Sequence, residues 1–182
     1  SWDTATLSWV NNLQYFYSNY PDGRLAEKLT KAYQTNGTWI DVTRTLYTYY
    51  PDPNYLEGEA KTQERQNWNT MTNAWEISSL ITNNVYGPGT GALEGTSSDQ
   101  VYEAYYFGEK VFGSIVAYDR MQTSNGARLS AQTFAIWNSG TGMHDFNTRK
   151  DFIYNDPEGL EYDTIYEKTW DFLNAQWSTD PY

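Results

Sequence analysis

The sequence predicts a mainly α-helical fold, a single domain of six to seven helices, on three observations. Apolar residues recur at steps of three and four within residues 98–137, on both sides of a turn sequence at 124–126. The same spacing runs through residues 56–84. Residues 156–158, Asp-Pro-Glu, combine the cap, the proline and the acid that are typical of a helix start.

The predicted helices follow one another between clear breaks. We expect helices over residues 3–20, 24–34, 56–84, 98–123, 127–137 and 157–176. Residues 38–50 fit either a strand or a helical face and are assigned to a helix, with a short β-hairpin there or in 139–153 as the alternative. The glycine-rich residues 86–97 are expected to form a mobile loop, and no internal repeat is found.

Length and composition fit one domain with a surplus of aromatic rings. The chain has 182 residues, of which 39% are apolar and 18% aromatic, including 17 Tyr and 8 Trp. So many rings exclude disorder, and a chain of this length buries enough surface to fold without disulfides. Because one core needs fewer rings, we expect some of them to lie half-exposed at an interface.

The charge balance excludes several classes of partner. Twelve basic residues against 23 acidic residues give a net charge of −11, and the densest basic spot is Arg149-Lys150. Nucleic acids require basic patches, so we expect no nucleic-acid partner. No apolar run approaches the length of a membrane-crossing helix, so we expect no membrane span.

The residue usage indicates a secreted or cell-surface protein. The chain has no cysteine, which excludes disulfides, thiolate nucleophiles and cysteine-ligated metals. It has few lysines, one glycosylation sequon at 36–38, and a first residue that is not methionine. We therefore expect an extracellular or cell-surface location.

The candidate interface residues are aromatic. Those that we expect to contact a partner are Trp39, Trp68, Trp75, Tyr105, Trp137 and Trp177. At helical spacing, the rings of residues 68 and 75 also fit ordinary core packing. The partners expected are identical subunits or surface glycans.

Paired carboxylates are the only catalytic apparatus that the composition supplies. Glycoside hydrolysis requires two carboxyl groups flanked by aromatic sugar platforms. If the protein is a hydrolase, Glu94 and Glu103 are the pair expected to act, since one lies near the end of the mobile loop and the other lies on the next predicted helix. A histidine-based triad has only His144 available.

Two oxygen-rich clusters could hold calcium, although helix-capping acids explain both clusters more simply. The first contains Asp52, Asn54 and Glu57, and the second contains Asp156 and Glu158. Neither matches the twelve-residue calcium-loop pattern, so no cofactor is expected, with calcium as the alternative.

One short segment has a counterpart in a known family. Residues 131–137 resemble the Gln-x-x-Ala-Ile-Trp segment of thioester-type surface-adhesin domains, with the aromatic-rich 102–106 before it. Those domains form their thioester from a cysteine, and this chain has none, which excludes covalent adhesion here. The resemblance implies a surface protein.

The function predicted from these observations is non-catalytic. We expect a secreted or cell-surface structural or interaction protein that self-assembles, for example into filaments, or adheres through exposed Tyr and Trp. The alternative is a carbohydrate-active hydrolase or a glycan-binding module that uses paired carboxylates and aromatic platforms.

Overall fold

The protein is built from β-strands. The computed structural model describes residues 2–3, 8–9, 12–50, 60–86 and 97–178. Its strands are β1 (Trp2–Asp3), β2 (Ser8–Trp9), β3 (Leu13–Asn19), β4 (Leu25–Tyr33), β5 (Trp39–Thr48), β6 (Thr62–Asn69), β7 (Ala74–Tyr86), β8 (Ser97–Tyr106), β9 (Glu109–Thr123), β10 (Gly126–Asn138), β11 (Met143–Ile153), β12 (Thr164–Asp171) and β13 (Gln176–Trp177). No helix occurs in these ranges, so none could cross a membrane.

The strands form one antiparallel meander. Strands β3 to β13 pair in chain order into an 11-stranded sheet, and β1 pairs with β2 separately. Turns therefore alternate between two ends of the sheet. We name the end with the turns that follow β4, β6, β8, β10 and β12 the even end, and the other the odd end.

The described part of the chain has almost no hydrophobic core. The buried apolar side chains are those of three alanines, Ala60, Ala131 and Ala135. No Leu, Ile, Val, Phe, Trp or Met within the ranges whose burial is described is fully buried. A second layer that would cover a sheet face is absent from the described elements, since each strand packs on its sequence neighbours.

The prediction of a mainly α-helical bundle is wrong. The stretch 98–137 is three strands, β8 to β10, and 56–84 contains β6 and β7. In a sheet with both faces partly exposed, apolar side chains occur on both faces, so the period of two is blurred and steps of three and four arise. Residues abundant here, such as Thr, Tyr, Trp, Val and Ile, favour strands.

The predicted breaks coincide with turns, although the flanking elements are strands. The chain reverses at 21–23, at 35–37 and at 124–125. At 156–158 the predicted helix start is instead a loop turn, in which the Glu158 amide donates to the Asp156 carboxylate at 2.9 Å. A side chain that caps a helix also closes such a turn, which is why the pattern misled. The predicted loop falls largely on 87–96, outside the described residues.

Three even-end turns repeat one design, which corrects the expectation of no internal repeat. Each begins after a tryptophan, at Trp68, Trp137 and Trp170, and ends at a ring seven residues later. The side-chain oxygen of the residue that follows this tryptophan accepts a hydrogen bond from the backbone amide two residues later in the chain, at 2.8–2.9 Å. The fifth residue after the tryptophan has a positive φ, namely 51° at Asn73, 69° at Gly142 and 52° at Ala175.

These equivalent positions predict opposite effects of two substitutions. Alanine pays a steric cost in the left-handed region that glycine does not, so we expect Ala175→Gly to stabilise the protein by about 0.5–1 kcal/mol. The reverse change, Gly142→Ala, should destabilise it by about 1 kcal/mol, because a Cβ there meets nothing closer than 3.9 Å and only the backbone is strained.

Denaturant unfolding of both variants measures the two effects. A destabilised Ala175→Gly protein would contradict the assignment of a shared turn geometry.

Candidate functional site

The sheet collects the predicted interface aromatics on one face. Paired residues of neighbouring strands share a face, and the registers connect Arg44 to Gln66, Trp68 to Trp75, Leu80 to Glu103, and Trp137 to His144. Followed across the sheet, they place all six predicted rings on this side. We name it the tryptophan face; its tryptophans are Trp39, Trp68, Trp75, Trp137, Trp170 and Trp177.

Rings on this face form cross-strand pairs beside the even-end turns. Ring centroids are 5.2 Å apart in Tyr33–Trp39 and Trp68–Trp75, 5.3 Å in Trp137–His144, and 5.0 Å in Trp170–Trp177. Successive hairpins lie two strand spacings apart, about 10 Å. The pairs therefore form a row along the even end, and such pairs stabilise neighbouring strands.

Cations cover two of the tryptophan rings. The Arg44 guanidinium lies 4.7 Å from the centroid of Trp75, and Lys110 Nζ lies 3.7 Å from that of Trp137. A Cβ on Gly113 would approach Lys110 Cε to 2.8 Å and Trp137 Cβ to 3.2 Å, so glycine leaves room for this stack. The six predicted rings are half-buried, and two of them already carry a cation, which binds ring faces favourably.

Glu103 belongs to the cation stack on the tryptophan face. Its carboxylate accepts hydrogen bonds from Lys110 Nζ at 2.7 Å and from the Tyr105 hydroxyl at 2.9 Å. Desolvation raises the pKa of Glu103, but these bonds and the charge of Lys110 outweigh it and hold that pKa below 4.5. Burial and Lys110 lower the pKa of His144 below 6.5, against the opposing charge of Glu103.

This arrangement suits an ionic structural group better than a general acid. A glycosidase acid needs a raised pKa, whereas that of Glu103 is lowered. The other carboxyl groups with a resolved shift are also lowered; they are Asp22, Asp151, Glu158 and Asp171. Its predicted partner, Glu94, lies outside the described residues.

A second ionic cluster lies farther from the even end on the same face. Asp151 accepts Arg149 Nε at 2.7 Å and Lys168 Nζ at 2.6 Å. Burial raises the pKa of Asp151, but the two cations outweigh it and lower that pKa below 3.8. Each cluster connects three side chains on two neighbouring strands, β8 and β9 in the first and β11 and β12 in the second, and so stabilises the pairing of those strands.

The calcium candidates that the structure describes make hydrogen bonds within the protein. Glu158 accepts the amide and the hydroxyl of Ser124 at 2.7 and 2.6 Å, and Asp156 closes its own loop. No three His, Cys, Asp or Glu side chains gather as a metal site in the described ranges. Asp52, Asn54 and Glu57 lie outside these ranges. Calcium binding stays a prediction.

Sequence reasoning missed the most exposed apolar side chains. One group lies on the edge strand β3, whose seven residues are all exposed. Another group lies at or next to the even-end turns; it consists of Met71, Tyr106, Phe107, Met143, Phe172 and Leu173. The recurring Trp-Asn or Trp-Asp, with a ring seven residues on, was the signal that could have revealed the hairpins and their tips.

Comparison with known proteins gives only distant structural similarities. No protein-family model and no curated protein matches the chain. A DUF3836 family protein from Bacteroides vulgatus is 18% identical, with a TM-score of 0.39, over 56% of this chain and 90% of its own. A DUF3836 family protein from Parabacteroides distasonis is 17% identical, with a TM-score of 0.35, over 52% of this chain and 76% of its own. A protein of unknown function from Bacteroides fragilis is 15% identical, with a TM-score of 0.30, over 91% of this chain and 87% of its own. These similarities assign the chain to no family.

The lowered pKa of Glu103 predicts a pH-dependent effect of Glu103→Gln. The glutamine keeps the shape and an acceptor for Tyr105 but loses the charge, so at neutral pH we expect a loss of about 1.5–3 kcal/mol in unfolding free energy. In the native protein this contribution is present above pH 4.5 and is lost as the pH falls through the lowered folded-state pKa.

The native protein and the variant should therefore differ in unfolding free energy at neutral pH and have similar values at acid pH. Urea unfolding of both proteins at the two pH values measures this. A difference that is constant with pH would show that the Glu103 charge does not stabilise the sheet.

Proposed function

We propose that this chain is a structural or interaction protein of the cell exterior, without a catalytic role, that associates with copies of itself. The observation that carries the proposal is the surface of β3. Its four large apolar side chains, Leu13, Tyr15, Phe16 and Tyr17, are 47–60% exposed. The strand contains no charged residue in a chain with a net charge of −11.

An edge strand of this kind favours pairing with another strand. Within the described residues, β3 pairs with β4 on one side only. Natural edges are usually protected by charges, prolines or bulges. β3 has neither charge nor proline, and its register shift lies at its last residues, Ser18 and Asn19. Five uninterrupted residues therefore present an uncharged edge to a partner.

The opposite edge of the sheet is protected, which supports a symmetric contact. β13 pairs with the end of β12 through Trp170 and Asp171. Next to it, the Ser178 amide donates to the Thr169 carbonyl at 2.9 Å, and the Thr169 amide donates to the Ser178 hydroxyl at 3.1 Å. β12 also carries Glu167 and Lys168. Because head-to-tail pairing of β3 with β12 would displace β13, two copies of β3 fit each other better.

A two-fold axis at the centre of β3 gives a definite register. Antiparallel pairing would set Phe16 opposite its counterpart and Tyr15 opposite Tyr17 of the other copy. Lys28 Nζ lies 5.1 Å from the Tyr15 ring and Lys31 Nζ lies 5.8 Å from the Phe16 ring. Both lysines lie on the strand behind the edge, where they stiffen the rings without opposing the partner strand directly.

Charge substitution at the paired tyrosines tests the proposal. The double variant Tyr15→Lys/Tyr17→Lys places lysine opposite lysine. We expect it to be monomeric at concentrations where the native protein is dimeric, with a dimer affinity that is at least tenfold weaker. Mixing it with Tyr15→Glu/Tyr17→Glu should restore association, because opposite charges then face each other. Size-exclusion chromatography with light scattering over a concentration series measures both results.

The matched control is Tyr106→Lys, which changes a tyrosine of similar exposure at the even end, far from β3. It should leave association unchanged. A native protein that is monomeric at every concentration, or a mixture of the two charged variants that does not associate, would overturn the proposal.

A further inference from the structure

A row of exposed apolar side chains lies at or beside the turns of four neighbouring hairpins at the even end. Its six side chains are Met71, Tyr106, Phe107, Met143, Phe172 and Leu173, which are 65–96% exposed. Tips of adjacent hairpins are about 10 Å apart, so the row is about 30 Å long. Turn tips usually carry small or polar residues, as the turn at 139–142 does, so the apolar tips of the other three hairpins are unusual.

Behind this apolar row lies a belt of tryptophan and tyrosine rings. The pairs Trp68–Trp75 and Trp170–Trp177 flank the first and last of these turns, and Trp137 and Tyr105 flank the other two. Lys110 lies level with these rings, because it pairs with Tyr105 across the strands and its Nζ lies 3.7 Å from the Trp137 ring; the cluster around Asp151 follows farther in. The exposed apolar side chains therefore lie outermost, with the amphipathic rings and the ion pair of Lys110 with Glu103 behind them.

We propose that the even end docks on the surface of an electrically neutral lipid bilayer, with the apolar tips inserted and the rings at headgroup depth. Tryptophan and tyrosine favour this depth because one end of the ring system is apolar and the other is polar. Apolar side chains that enter the acyl boundary supply the binding free energy in proportion to their area.

The shape of the row favours a bilayer over a folded partner. Four of the side chains project from three separate turns, and a folded protein would need a matching pocket for each; these four are Met71, Phe107, Phe172 and Leu173. A bilayer accommodates all of them at once. The turn after β4, by contrast, is polar; there the side-chain Oδ1 of Asn36 accepts a hydrogen bond from the Thr38 amide at 3.0 Å, so the row is confined to the hairpins from β6 to β13.

The charges near the tips select neutral headgroups. Glu76, Glu109, Asp145 and Asp171 lie within a few residues of the tips, whereas the nearest cation, Lys110, is paired with Glu103. Three of these acids accept bonds from turn residues, from Asn69, Asn138 and the Leu173 amide. Anionic lipids would therefore be repelled, in a chain whose net charge is −11.

Vesicle co-sedimentation tests the proposal with the native chain. We expect binding to phosphatidylcholine vesicles, weaker binding when phosphatidylglycerol is added, and a shift of tryptophan fluorescence to shorter wavelength on binding. The triple variant Met71→Ser/Phe107→Asn/Leu173→Ser should weaken binding by at least a hundredfold, since each removed side chain is worth roughly tenfold. Asparagine is chosen because residue 107 has a φ of 49°.

The matched control changes two exposed side chains at the odd end, Leu160→Ser/Tyr162→Ser, which are 50% and 53% exposed. It should bind vesicles as the native protein does, and so should the charged β3 variants. Because each of these three side chains is at least 65% exposed, circular dichroism and the melting temperature should change little in the triple variant.

Three results would overturn the proposal: no binding to neutral vesicles, tighter binding to anionic vesicles, or native-like binding by the triple variant. A triple variant that loses self-association in the absence of lipid would instead assign the row to a contact between copies of the chain.

Discussion

The constraint on which this structure depends is that a single layer of strands leaves no space for a conventional core. The buried apolar side chains of the described residues are alanines. The free energy that opposes chain entropy must therefore come from the backbone ladder and from contacts along the sheet surface. Ring pairs, cations over rings and hydrogen-bonded carboxylates supply those contacts, and each joins neighbouring strands rather than opposite layers.

The same constraint means that the side chains on the surface of this sheet are also those that stabilise it. The tryptophan face carries its rings half-buried, because each ring covers part of the backbone and is covered in turn by a neighbour or by Arg44 or Lys110. The groups freest to bind a partner lie where the sheet stops, at the edge strand β3 and at the even-end tips. Function in such a protein is expected at the boundaries of the sheet rather than in a cleft.

The sequence allowed some of this architecture to be predicted. The reversals at 21–23, 35–37 and 124–125 follow from turn residues whose backbone preferences are local, so they were found. The surplus of rings was noticed, and the six selected rings share one face. The strands were missed because apolar residues lie on both faces, which removes the alternation by which a half-buried strand is recognised.

The site was less accessible to sequence reasoning, because its residues meet only through strand register. Glu103 was selected as an acid, but Lys110 and Tyr105 determine its protonation, and their approach depends on the hairpin at 107–108. The repeated turns carry Asn, Gly and Ala at one equivalent position, so residue identity hides them, while the spacing from Trp68, Trp137 and Trp170 reveals them.

Calorimetry of the monomeric protein tests most directly the central claim, that the strands of the described ranges fold as a single layer without a large buried core. The heat-capacity change of unfolding reports the apolar surface that unfolding exposes, and a compact domain of 182 residues would show roughly 2.2–2.7 kcal/mol/K. A single-layer sheet should give a value well below that range, at a concentration where light scattering shows monomers. A value inside the range would contradict the account, because it would require a core that the single layer does not have.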